Sequence, residues 1–140
     1  MTSLRSITKP DGSTQDMTDA YCLAAAVEAQ VIITKTFAGH KIVGAYPTYT
    51  QSNMLAEATK YTNTVAKGGT LTTGQNSRSD YLDDCWGWIE AVRANSAVIE
   101  ASVMAIAADG AKTELQKVQD ILDIDVSANS GWPGEPPTEA

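Results

Sequence analysis

The sequence predicts a mainly α fold: a small helical bundle with one long amphipathic helix, a short helix packed back on it, and a small β-hairpin. Three observations predict it. From Leu82 to Ile106, apolar residues recur at alternating steps of three and four. Shorter stretches with the same helical spacing lie on either side. Between residues 31 and 44 the pattern turns β-branched, breaks at a glycine and resumes. The 140 residues suit one domain. We divide the chain into an N-terminal arm (1–13), a helical domain (14–126) with its hairpin near 31–44, and a Pro/Gly-rich tail (127–140) anchored by Trp132.

In the arm, Leu4 and Ile7 are the only apolar anchors before a turn cluster of Pro10, Asp11, Gly12 and Ser13. The first helix begins at about Asp16 or Thr18 and runs to about Gln30, with Ala20, Leu23, Ala24, Val27 and Val31 sharing one face. Val31 to Phe37 then reads as a strand, Ala38-Gly39 as a turn, and His40 to Gly44 as the returning strand. A lone two-stranded hairpin is marginal in water, so it must rest on helices or pair with another chain.

Pro47 breaks the chain. Thr50 or Ser52 caps a second helix that buries Met54, Leu55, Ala58, Tyr61 and Val65 and ends at Gly68-Gly69. The long helix spans Arg78 to Asp109, with Ser79 as its cap and Asp80, Asp83 and Asp84 suiting its positive end. Its seam is Leu82, Cys85, Ile89, Val92, Ser96, Ile99, Val103 and Ile106. At ~1.5 Å per residue such a helix is roughly 45 Å long. Its seam needs cover, either from the helices of its own chain or from other chains. Lys112 to Leu122 forms the short helix, against which Trp132 is expected to tuck, leaving Gly134 onward free.

The chemistry is sparse. The single histidine, His40, reads as a solvated turn residue. No His/Cys/Asp/Glu grouping has metal-ligand spacing, and Gly68-Gly69 lacks the setting of a phosphate loop. Asp83, Asp84 and Cys85 offer a weak case for hydrolysis, and Asp120, Asp123 and Asp125 lack the glycine and distal glutamate of a calcium loop. Cys22 and Cys85 read as buried, reduced thiols, with a disulfide between two packed helices as the alternative. No enzyme activity, metal or cofactor is expected. The net charge of −7 argues against a nucleic-acid partner or an anionic membrane. No run of about 20 apolar residues reads as a span, and no signal-peptide core precedes the first helix.

Five residues stand out for partner binding: Trp88, Val92, Ile99, Val103 and Trp132. Trp86 and Trp88 are two residues apart on a helix, so both cannot lie in one seam. Trp86 reads as core, and Trp88 either anchors an interface or packs within its own chain.

Several motifs coincide with those of a known family. They are Gly39-His40-Lys41-Ile42, Thr50-Gln51-Ser52, Ile99 through Ile106 leading to Glu114-Leu115, Ile121 to Val126, and Gly131-Trp132-Pro133. Over roughly residues 28–133 the chain resembles a domain of unknown function encoded beside tail-fibre genes of tailed bacteriophages. It departs from that pattern at Gly68 to Ser77, which lacks the usual aromatic, charged hairpin. It departs again at Arg93-Ala94-Asn95, where a histidine is common. The resemblance implies a tail or tail-fibre component located in the virion and assembled in the host cytoplasm. Such a component would bind a fibre or other virion subunit, as an assembly chaperone or a retained part, with homo-oligomerisation through the seam a further option. The alternative is a receptor- or glycan-binding module at a fibre tip, with Trp88, Tyr46 and Tyr49 available for stacking.

Overall fold

The computed structural model describes the backbone of residues 3–8, 10–11 and 14–140, with side chains at 10–11 and from Thr18 onward. Among the described residues, four helices carry the fold: α1 (Asp19–Ala45), α2 (Thr48–Ala66), α3 (Thr73–Ala107) and α4 (Glu114–Leu122). Two short strands, β1 (Ser3–Thr8) and β2 (Thr14–Thr18), pair antiparallel with Thr8 opposite Thr14. They lie where the arm was expected. The side chains of Leu4 and Ile7, and the turn residues Gly12 and Ser13, fall outside the described residues.

The predicted fold class needs correction at residues 31–44. No hairpin is seen there, because those residues are the middle and end of α1. The β-branched residues Val31 to Thr36 cost a helix only a few tenths of a kcal/mol each, so packing overrides their preference. Every fourth residue from Cys22 to Tyr46 is buried: Cys22, Ala26, Gln30, Thr34, Ala38, Ile42 and Tyr46. Thr34 fits the helix interior by donating its hydroxyl to the Gln30 carbonyl at 2.7 Å. The helix stops only where Pro47 cannot continue it.

The helix ends follow local chemistry. Thr18 accepts the Tyr21 amide and so starts α1. Gly68, at φ 84°, turns the chain out of α2. A side chain at Gly69 would strike the Thr64 carbonyl. Helix α3 begins six residues before the expected Ser79. Thr72 accepts the Gln75 amide at 3.1 Å, and the Gln75 side chain accepts the Thr72 amide at 2.9 Å. This reciprocal capping box recurs at Thr113 and Gln116, where α4 starts.

Helices α1 and α3 each lend one segment to each of two compact units. The first unit comprises residues 1–37 and 96–129. Its core is Cys22, Ala26, Val103, Val118 and Ile121. The Gln30 side-chain amide donates to the carbonyls of Ile121 at 2.9 Å and Ile124 at 2.7 Å, tying α1 to the end of α4. Lys117 donates to the Ala107 carbonyl at the end of α3.

The second unit comprises residues 38–95 and 130–140. Its core joins Ile42 and Tyr46 to Met54 of α2 and to Leu82, Cys85, Ile89 and Val92 of α3. The tail is fastened here, which corrects two expectations. Trp132 packs on this core instead of against the short helix. Gly134 is not free, because its carbonyl accepts the Trp88 indole N–H at 2.9 Å. Arg78 grips Glu57 through two hydrogen bonds and pairs with Glu139 in the tail at 2.9 Å. Its guanidinium also lies over the Tyr81 ring.

Two expectations follow. Gln30→Ala removes both amide bonds from the first unit and should cost ~1–3 kcal/mol. Urea unfolding should show a lower midpoint with an unchanged slope; an unmoved midpoint would mean that these bonds do not hold α4. The second concerns acid. The hydrogen bond from Arg78 holds the Glu57 carboxyl below its ordinary 4.5. A folded-state pKa that is depressed favours folding above the unfolded value, and that contribution is lost as pH falls through the depressed one. Glu57→Gln should therefore flatten the loss of thermal midpoint below about pH 4.5. The change should be small, since the two partners are 34% and 29% exposed.

Candidate docking site

The residues singled out for partner binding are covered by the chain itself. Trp88 and Val92 are buried in the core of the second unit, and Trp132 packs on that core. Trp88 meets Tyr46 edge to face, with ring centroids 5.8 Å apart, and Lys41 lies over its ring. Ile99 and Val103 are buried in the first unit. Along the seam, every residue from Leu82 to Val103 is buried and Ile106 is half-buried. The cover comes from α1, α2 and α4 of the same chain.

The groups weighed for catalysis do not converge. Cys22 and Cys85 are buried free thiols, one in each unit. Burial, with the Cys85 thiol beside it, pushes the Tyr46 phenol up. Tyr81 is raised mainly by its hydrogen bond with the same thiol. Asp80, Asp83, Asp84 and His40 are exposed on their helices. Asp120 pairs with Lys112, and Asp125 accepts the Ser127 hydroxyl at 2.8 Å. Among the described residues, no group of three His, Cys, Asp or Glu side chains could hold a metal ion.

What the first unit does offer is a groove of about 550 Å³ formed by α1, the end of α3 and the start of α4. Leu23, Val27, Val31, Ile32 and Met104 make its wall, with Glu28 and Glu114 beside them. Ile32 is 55% exposed and Met104 52%. The face shared by Ala20, Leu23, Ala24, Val27 and Val31 lines the groove, and Leu23, Val27 and Val31 also pack partly against the unit's core. The stripe that packs inward lies beside it and is made of smaller or polar residues, Cys22, Ala26, Gln30 and Thr34. Sequence reasoning missed Ile32 and Met104 as surface residues. The signal available was that α1 carries apolar residues on more sides than one packed face needs.

That surplus has a second expression. By length and composition alone, α1 is long and apolar enough to cross a membrane, contrary to expectation, and 28% of its apolar window is buried. Yet it carries Glu28 in mid-helix, and Lys35 pairs with Glu100 at 3.5 Å. Its buried Gln30 is satisfied by protein carbonyls. The satisfied Gln30 shows that one side of α1 packs in protein.

Because the seam is filled from within the chain, Val92→Asp and Ile99→Asp should each bury an unpaired charge and unfold the protein. Circular dichroism with light scattering checks this. A folded but smaller species would mean instead that the seam joins separate chains. Comparison of the chain with protein-family models, with curated proteins and with solved structures found no match in any of the three.

Proposed function

We propose that this chain is a structural or accessory subunit that works by docking another protein in the apolar groove of its first unit. One observation carries this reading. Leu23, Val27, Val31, Ile32 and Met104 form one contiguous apolar wall, in which Ile32 and Met104 are more than half exposed. Apolar surface of this kind is where partner helices are received. The phage tail or tail-fibre setting, with the virion as location, rests on the sequence resemblance alone, above all on Ile121 to Val126 and Gly131-Trp132-Pro133. In that setting the partner is a fibre or other virion subunit, and the chain acts as an assembly chaperone or a retained component.

The glycan-binding alternative has less support. Of its three aromatics, Trp88 and Tyr46 face inward, and only Tyr49 is open, at 71% exposure. A sugar needs an accessible aromatic face on which to stack.

Ile32→Asp and Met104→Asp change exposed positions and should leave the helical spectrum and the unfolding midpoint unchanged. Capture of a co-expressed tail-fibre subunit should fall about tenfold or more. Undiminished capture by both variants would remove the groove from the function. Absence of the chain from purified virions, together with no capture, would remove the tail-fibre setting.

A further inference from the structure

We propose that the groove receives helix α2 of a second copy of this chain, so that copies join head to tail. This deepens the docking reading and rests on it. Lys35, Arg78, Arg93 and Lys112 are each in an ion pair. Lys117 is bonded to the Ala107 carbonyl, and Lys41 lies over Trp88. Among the described residues, that leaves Lys60 and Lys67 as the two without such a partner. Glu57, one turn before Lys60, is already held by Arg78.

Lys60 and Lys67 lie on the same side of α2, two turns apart, with Ala56 and Asn63 between and before them. Helix α2 is thinly covered: of its residues only Met54 is buried. Leu55 is 59% exposed beside Ala56, and Tyr49 continues the same stripe toward the start of the helix. The outer side of α2 is therefore an open helical face with apolar contacts and two ammonium groups in no hydrogen bond or close ion pair, Lys60 acting on Glu57 only through space.

The groove is its chemical complement. It is a shallow, largely open apolar wall, and its two charged lining residues, Glu28 and Glu114, are both acidic. Neither forms an ion pair among the described residues. An acid-lined apolar groove fits a basic, partly apolar helix, which is the helix-in-groove mode of recognition. The sequence supplies such a helix in α2. Groove and helix are different patches of one chain, so the contact is heterologous: repeated, it closes a ring or continues as a filament. A bilayer is the poorer occupant, because Glu28 and Glu114 would face acyl chains or anionic headgroups.

Charge exchange in the full chain tests this. Wild type should show a mass that rises with concentration in sedimentation velocity and light scattering, and salt should weaken the association. The groove variant Glu28→Lys/Glu114→Lys and the helix variant Lys60→Glu/Lys67→Glu change exposed residues and should stay folded by circular dichroism. Alone, each opposes like charges, and its self-association should fall ~10-fold or more. Mixed, the two variants again place opposite charges across both contacts, and assembly should return. A monomeric wild type at all concentrations overturns the proposal. So does assembly of either variant alone at wild-type strength, or a mixture that fails to assemble. Sedimentation with vesicles of phosphatidylglycerol and phosphatidylcholine, without self-association, would assign the face to a bilayer and likewise overturn it. A chain that never self-associates but still captures a tail-fibre subunit, with capture lost in Ile32→Asp, overturns this proposal and leaves the docking reading standing. Loss of both overturns both.

Discussion

The buried amide of Gln30 sets the character of the first unit. A polar side chain inside a core is tolerated only when its hydrogen bonds are made. Gln30 makes them to the carbonyls of Ile121, in the last turn of α4, and of Ile124, just beyond it. One side chain thus satisfies itself and helps satisfy α4. The positions above and below it are small: Ala26 and Cys22 one and two turns earlier, Thr34 one turn later. Small residues let neighbouring backbones approach closely. With its small and polar residues turned inward, α1 leaves Ile32, Ile33 and Val43 outward. Inward close packing and outward apolar surface are therefore two sides of one arrangement, and the groove follows from it.

The same arrangement explains what could be read from the sequence. The α3 seam was legible because it is long, regular and built from residues that are both apolar and buried. On α1 these properties separate. A reading based on hydrophobicity selects Leu23, Val27 and Val31, which pack only partly against the core, whereas the fully buried stripe is Cys22, Ala26, Gln30 and Thr34. A four-residue step advances about 40° around a helix of ~3.6 residues per turn, so the stripe drifts and matches no single heptad frame. The β-branched run at 31–36 then looked like a strand, because no regular apolar face continued through it. The start of α3 was legible in principle. Thr72 and Gln75 carry the capping-box spacing, which the acidic residues after Ser79 obscured.

The tail teaches a different lesson. Its Pro and Gly content marks it as irregular, and irregular is easily mistaken for unattached. A buried indole needs an acceptor for its N–H, and an irregular segment has carbonyls to offer because no helix or sheet uses them. Gly134 supplies one to Trp88, and Glu139 supplies a carboxylate to Arg78. The partners of these contacts are far apart in the sequence, so no local pattern announces them. They also turn Trp88 from a surface aromatic into part of the second unit's core, which removes the stacking face that a sugar would need.

Electrostatics constrain any partner of this chain, a second copy included. With 17 acids against 10 bases, two copies repel at long range. That repulsion is screened over roughly 8 Å at physiological salt, so it acts on encounter more than on contact. At contact, the outcome depends on which charges already have partners. Most of the described cations are engaged within the chain and contribute little to a neighbour. Among the described residues, Lys60 and Lys67 form no close ion pair, and neither do Glu28 and Glu114 in the groove. Surface pairs of this kind supply orientation and selectivity, with only about 0–1 kcal/mol each. The strength of a complex must then come from covering Ile32, Met104 and the rest of the apolar wall. Charge decides which helix is accepted and in which direction, and burial of the wall decides how firmly it is held.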